Sequence, residues 1–388
     1  MTATEKPEPA ASEDFVRDPL PDRPAPRAAQ GTPQGVVPET AKRAVQATRR
    51  TNIRSLTLEE IGQWCEARGF PAYRASQLAG WLYNRPPCDV ADMHNLPAVL
   101  RSALEEDFDV SRPSRALLRE SNDGTRKLLV GLADERVVES VVIPRDQRTT
   151  LCISSQVGCA LGCGYCATAR LGLVRNLEPF EIVGQVMMGR EVAAPELLTN
   201  YVFMGMGEPL ANYDRLVRAL EIMTSPWGLG ISPRRITVST VGLVPQLERL
   251  VRETDVHIAI SLGSAIDDVR DGLMPINRRY PLSELIGACR RLELPRRKRI
   301  TFEYTLLAGI NDNLAAADAI VRLLAGLPVK LNLIPFNEWD GCEYRRPDDE
   351  RVLAFQERVL ASGIHTTVRA SRGRDIQAAC GQLAARGS

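Results

Sequence analysis

From Thr150 to the C-terminus, apolar strand-like runs alternate with amphipathic helical stretches, and this alternation narrows the available folds more than any other feature. The runs are TTLCIS, YVFMGM, RITVST, HIAISL, RITFEYTLL, VKLNLIP and HTTVRAS. Between most of them lie stretches such as NYDRLVRALEIM, PLSELIGACRRL and NLAAADAIVRLLAGL, whose apolar residues recur at helical spacing. Strands joined through helices pair in parallel and carry those helices on the outside of the sheet. The expected class is therefore α/β. Periodicity alone leaves a doubly wound sheet and a β/α barrel both open, and polar residues just after the strands occur in either.

Three shorter regions precede this core. Residues 1–50 are rich in Pro, Ala, Arg and Glu and lack apolar periodicity. Burial there cannot repay the entropy of ordering, so a disordered tail is expected. Residues 51–115 read as a small helical module. Thr57 followed by Glu60 is a capping-box signature, and Leu78, Trp81 and Leu82 share one face of a second helix. Trp81 and Tyr83 have the chemistry to stack on RNA bases, but packing between helices is the expected role. Residues 116–149 form a β linker segment, with a hairpin turn at Asn122-Asp123-Gly124 and a further strand in VVESVVIP. The core is expected over 150–384, with 385–388 as a C-terminal end.

Nine cysteines raise the question of disulfides, but four of them fall between Cys152 and Cys166 in a chain without a signal-like segment. Metal or redox chemistry in a reducing compartment fits better, and no apolar run reaches the length of a membrane span. A cytoplasmic protein without a membrane partner is expected. The net charge of +1 leaves any nucleic-acid binding to local patches.

Cys159, Cys163 and Cys166 stand at C-x3-C-x2-C spacing directly after a strand-like run. Three thiolates can each hold one iron of a 4Fe–4S cube and leave the fourth iron open. An open iron can be chelated by the amino and carboxylate groups of S-adenosylmethionine, whose sulfonium an electron from the cluster then splits. A zinc knuckle, or a four-cysteine cluster with Cys152 as the fourth ligand, is the alternative. Zinc sites usually pair cysteines in two separated knuckles, and ferredoxins use other spacings.

The cysteine triplet, MGMGEPL, STVGLVP, KLNLIPFN and RGRDIQAACGQL occur together and in this order. In these motifs the chain resembles the RlmN/Cfr family of radical S-adenosylmethionine RNA methyltransferases, over about residues 52 to 384. The resemblance implies a partial (β/α)6 barrel. It implies methylation of carbon 2 of an adenosine in 23S rRNA, at the peptidyl transferase centre, and in tRNA, next to the anticodon. Two S-adenosylmethionine molecules would be used per turnover, with an electron donor such as flavodoxin, and the chain would act as a monomer. Gly207, Glu208, Ser239, Ser261, Leu262, Gly263 and Asn332 would contact the cofactor. Cys380 would carry the methyl group, Cys152 would release the product by forming a disulfide, and Glu139 would be the general base.

Each of these residues also has a plainer reading. Glycines at 205 and 207 allow close backbone approach, a strand-terminal Ser is often a helix cap, and a free cysteine packs as a small apolar group. Glu139, between valines, is costly to bury unless it faces a site, and otherwise it is a solvent-facing strand residue. Gly373, Ala378, Ala379 and Gly381 suggest a mobile loop around Cys380. The family usually has His where this chain has Gly263, so any imidazole contact there is missing. Restoring that His is expected to be tolerated, unless the loop is rebuilt around glycine.

RNA contacts are sought in Arg126-Lys127, Arg234-Arg235, Arg278-Arg279, the run from Arg296 to Arg299, and above all Arg372 and Arg374 near Cys380. Two other functions stay open. A Cfr-like enzyme would methylate carbon 8, although the RGRDI segment and the helical module favour carbon 2. A non-catalytic iron–sulfur or zinc RNA-binding protein would not cleave the cofactor.

Overall fold

The computed structural model describes residues 50–83, 89–295 and 298–384. The expected tail, apart from Arg50, lies outside the described residues, as do Cys88, Arg296, Arg297 and the end at 385–388.

The N-terminal module holds helices α1 (Leu58–Ala67), α2 (Tyr73–Tyr83) and α3 (Ala98–Asp107). Thr57 and Glu60 form the complete capping box at the start of α1, which satisfies two amide groups that a helix start leaves unpaired. Leu78, Trp81 and Leu82 are all buried. Trp81 donates its indole N–H to Asn95, and Tyr83 packs edge-on against Trp227 at 5.9 Å. Packing, and not base stacking, is therefore what both aromatic rings do.

Among the described residues twelve strands follow: β1 (Ser114–Glu120), β2 (Arg126–Gly131), β3 (Val137–Arg145), β4 (Arg148–Cys152), β5 (Gln156–Gly158), β6 (Leu173–Asn176), β7 (Leu198–Phe203), β8 (Ile236–Thr240), β9 (His257–Ser261), β10 (Ile300–Leu306), β11 (Val329–Pro335) and β12 (Thr366–Val368). Ten of them form one sheet in the order β1-β2-β3-β4-β7-β8-β9-β10-β11-β12. The pairs β1·β2, β2·β3 and β3·β4 are antiparallel, and from β4 to β12 every neighbour is parallel. The region expected as a linker is thus a three-stranded extension of the barrel sheet. Six of the parallel strands, β4 and β7 to β11, make the expected (β/α)6 unit, and the short β12 adds a seventh at its edge. Among the described residues β1 and β12 do not meet, so the barrel is open.

The two faces of this sheet differ in kind. Leu151, Phe203, Val238, Ile260, Phe302 and Leu331 point outward into the apolar core under the helices. Their neighbours Thr150, Asn200, Thr237, Thr301, Glu303 and Asn332 line one inner cavity of about 440 Å³. Side chains alternate along a strand, so inner-face residues from these five strands can share a cavity only if the sheet curls around it. A polar lining excludes a dry packed core. The barrel interior holds an open cavity with polar and apolar side chains on its wall, and no described helix is long and apolar enough to cross a membrane.

Candidate active site

The loop after β5 carries Cys159, Cys163 and Cys166, and its fold is set by backbone bonds. Cys159 N–H donates to Gly172 O at 2.9 Å, Gly164 N–H to Leu273 O at 2.9 Å, and Ala167 N–H to Gly381 O at 2.8 Å. Gly164 lets the Tyr344 side chain pack close, since a Cβ there would sit 2.8 Å from its hydroxyl. Burial pushes the Cys159 thiol up to about 11 and raises that of Cys163 further, and the neighbouring thiols and Glu208 add to both shifts. Cys159 and Cys163 thus sit where a thiolate is unfavourable unless a cation joins it. Among the described residues no three His, Cys, Asp or Glu groups converge on a point for one ion. A cluster takes one thiolate per iron and needs no such single point. The donor set fits an iron–sulfur cluster.

Above this loop lies a second, smaller cavity of about 150 Å³, lined by Cys166, Gly207, Glu208, Ser239, Ser261 and Cys380 among others. Five residues, Met204, Glu303, Ile334, Asn337 and Cys380, line both cavities and form the wall between them. Cys152, at the end of β4, lines the larger one. Burial pushes its thiol up to about 12, and the charge of Cys380 contributes to the shift, which places the two thiols within electrostatic reach.

The cofactor residues expected from the sequence divide accordingly. Gly207, Glu208, Ser239 and Ser261 meet in the smaller cavity, and Asn332 lines the larger. Glu208 is buried with both carboxylate oxygens engaged, accepting from Leu210 N–H and Val241 N–H, each at 3.0 Å. Burial raises its carboxyl to about 7 against these bonds. Gly207 has φ +101° and a Cβ there would lie 2.6 Å from Gln156 Cβ, while at Gly205 it would lie 2.6 Å from Ser154 Oγ. These glycines therefore let the end of β7 cross the segment after β4; protein backbone, more than ligand, is what approaches them.

Leu262 and Gly263 line neither cavity. Leu262 N–H donates to Glu303 O at 2.8 Å, and Gly263 O accepts from Asn311 at 2.8 Å. The tolerance expected for a histidine at 263 is corrected here. Gly263 has φ +69°, and an added Cβ would run into the Met274 thioether. Left-handed backbone costs a non-glycine residue about 1–2 kcal/mol. Gly263→His is expected to lower stability by at least that amount, read as a lower denaturation midpoint at unchanged slope.

Glu139 is buried on β3, but the structure does not bring it into either cavity. Its Oε1 lies 3.0 Å from Lys127 Nζ on the neighbouring strand, and its Oε2 accepts from Ala384 N–H at 2.9 Å. The cost of burying a carboxylate is met by this partner and not by a substrate. Lys127 is accordingly removed from the expected RNA contacts. Arg126 is likewise occupied, by Glu120, Glu196 and the Val192 carbonyl.

Sequence reasoning missed Glu303 and Arg369. Glu303, buried on β10, accepts from Ser239 Oγ at 3.3 Å and Asn332 Nδ2 at 3.4 Å. Arg369 lies 3.8 Å from Glu303 and donates to Met204 Sδ at 3.3 Å. The signal was available for Glu303: an acid inside TFEYTLL is as costly as one inside VVESVV.

A thiol-bearing loop just beyond the first parallel strand of an open β/α sheet, beside a strand-end ligand cavity, defines a radical S-adenosylmethionine enzyme. A model of the radical SAM superfamily matches residues 153–319, and one of the ribosomal RNA large subunit methyltransferase N-terminal domain matches 51–110. The dual-specificity RNA methyltransferase RlmN of Geobacter sulfurreducens is 50% identical over 86% of this chain and 91% of its own length. That of Anaeromyxobacter sp. is 48% identical over 87% and 92%. The crystal structure of a radical SAM methyltransferase from Sphaerobacter thermophilus superposes with a TM-score of 0.83 at 44% identity, covering 87% of this chain and 100% of that one. The chain belongs to the RlmN family of radical SAM methyltransferases. It is an enzyme, and the cofactors of its family are a 4Fe–4S cluster and S-adenosylmethionine.

Proposed function

We propose that this enzyme methylates carbon 2 of an adenosine in 23S rRNA, at the peptidyl transferase centre, and in tRNA, next to the anticodon. The observation that carries the reading is the place of Cys380, on the wall between the cavity beside the cluster loop and the larger polar cavity that holds Cys152. Cys159, Cys163 and Cys166 hold the cluster, and Gly207, Glu208, Ser239, Ser261 and Asn332 surround the cofactor, with Leu262 and Gly263 shaping the strand end behind them.

Carbon 2 of adenine is electron-poor and cannot attack a methyl sulfonium, so the carbon must arrive as a radical. When bound, the cluster and its S-adenosylmethionine supply a methyl group, an electron and a 5′-deoxyadenosyl radical. Cys380 Sγ takes the methyl group as a thiolate. Its S-methyl group then loses a hydrogen atom, and the methylene radical adds to carbon 2. The adduct loses one electron, which the oxidised cluster would take back, and the carbon 2 proton. Glu139, the base the family resemblance implies, is held by Lys127 outside both cavities and takes that proton only in an arrangement in which the backbone at Ala384 has moved off it. Cys152 thiolate attacks Cys380 Sγ, the carbon–sulfur bond breaks, and the carbon takes a proton to become the methyl product. A disulfide between the two cysteines remains and must be reduced before the next turn.

The larger cavity admits a base only when it leaves its stack. Arg372 and Arg374, close in sequence to Cys380, supply phosphate contacts, and the helical module at 51–115 serves as an RNA-binding accessory. A flavodoxin-like electron donor, a monomeric state and a cytoplasmic location complete the reading.

Nucleoside mass spectrometry of rRNA and tRNA from a deletion strain tests it. Loss of 2-methyladenosine from both RNAs is the expected outcome. Loss of 8-methyladenosine, or no loss, would sink the carbon 2 assignment.

A further inference from the structure

We propose that the turn of the β1–β2 hairpin is a seat that positions Cys380, with Asp123 and Asp375 as its positioning residues. The inference rests on the reading of Cys380 as the methyl carrier and adds residues that touch neither cofactor nor cavity.

After β12 the chain runs to Ala384 without a helix or strand. Such a segment has no ladder to fix it, yet it must hold one sulfur atom on a wall between two cavities. Its first part is held by a reciprocal clasp. Asp375 Oδ1 accepts from the Ser121 hydroxyl at 2.5 Å, and Oδ2 accepts from Asn122 N–H at 3.2 Å. In return, Asp123 Oδ2 accepts from Gly373 N–H at 3.0 Å while Oδ1 accepts from Thr125 N–H at 2.9 Å. Arg372 also donates to the Asp123 carbonyl at 3.3 Å. Each side thus supplies one carboxylate and receives one. Burial opposes the charge on Asp123, but the bonds from Thr125 and Gly373 outweigh it and hold the carboxyl down to about 2.

The clasp reaches Cys380 through a short path. Gly373, with φ +66°, is pressed between Thr125 and Ala378, and a Cβ there would lie 2.9 Å from both. Ala378 N–H donates back to Gly373 O at 2.8 Å, so fixing residue 373 fixes 378, two residues before the sulfur. Farther along, Asn337 holds the Cys380 carbonyl at 3.2 Å, and the Thr168 hydroxyl holds Leu383 O at 2.6 Å. Those contacts set the far end; the hairpin turn sets the near one, together with Lys127 Nζ, which donates to the Gln377 carbonyl at 3.2 Å. The small residues around Cys380 serve close packing here, not looseness. Asp123 is the more sheltered of the two carboxylates and Asp375 is exposed, so losing Asp123 has the larger effect, because bonds competing with water are worth less.

Anaerobic holoenzyme with Asp123→Ala, Asp375→Ala and Asp375→Asn tests the seat. Two quantities are read: the rate of Cys380 methylation, by peptide mass spectrometry without RNA, and the ratio of 5′-deoxyadenosine released to methyl groups placed on RNA. Asp123→Ala is expected to slow Cys380 methylation on the order of tenfold to a hundredfold, as displacements near 1 Å do, and to raise the ratio. Iron content and S-adenosylmethionine affinity should match the parent enzyme. Asp375→Ala should fall in between, and Asp375→Asn, which keeps an acceptor, should recover most of the loss. Unchanged rate and ratio in both alanine variants would overturn the proposal, and so would losses that merely track iron content and thermal stability. Cys380→Ala is the control: if it still methylates RNA, the carrier reading fails on its own and the seat falls with it.

Discussion

Cys152→Ala is expected to leave protein covalently attached to RNA. Cys380 in this variant can still accept its methyl group and add to adenine, because neither step uses Cys152. What is lost is the thiol that attacks Cys380 Sγ, so the adduct has no exit. The geometry supports this division of labour: Cys152 lines only the larger cavity, and Cys380 lines both. Denaturing gels of Cys152→Ala expressed in cells, with and without ribonuclease, should show a band that collapses on digestion. The parent enzyme turns over and should show little of it. Cys380→Ala should show none, since no carbon can be carried. Full RNA methylation by Cys152→Ala, without an adduct, would reduce Cys152 to a packed strand residue, which its burial alone also permits.

Alanine at Cys159, Cys163 or Cys166 should abolish cluster binding and all methylation, a loss no neighbouring residue can make good. On the proposed reading each thiolate would hold a different iron, and the nearest other cysteine in sequence, Cys152, lies in the other cavity. The helical module should stay folded, because its buried Ile61, Leu78, Leu82 and Leu100 belong to the main apolar core, whereas Cys163 sits in a separate cluster. Iron counting and visible absorption after anaerobic reconstitution check the first expectation, and far-ultraviolet circular dichroism checks the second. A triple variant that keeps the full chromophore would remove the cluster assignment.

The barrel was legible because its strands are long, apolar and separated by helices of clear period, and RITFEYTLL and VKLNLIP became β10 and β11 as expected. The capping box of Thr57 was legible for the same reason: both partners lie within one turn. What sequence could not show is where an inner-face residue ends up once the sheet curls. Glu139 and Glu303 carry the same signal, an acid within an apolar strand. Only the three-dimensional arrangement shows that one is neutralised by Lys127 while the other stands on the cavity wall. Gly263 marks the second limit. A gap in a motif looks like a missing contact, whereas the backbone angle and Met274 make glycine a requirement. Long-range clasps such as Asp123 with Gly373 leave no pattern in a linear chain at all.

The wall shared by the two cavities has an evolutionary consequence. On the proposed reading, radical generation and base recognition would meet at the five shared residues and otherwise be lined by separate sets of side chains. Substitutions among Arg145, Asn200, Thr237 or Thr301 can alter which nucleotide enters without touching the chamber beside the cluster loop. Such a chain can drift toward a new target atom while its most dangerous chemistry stays under unchanged selection.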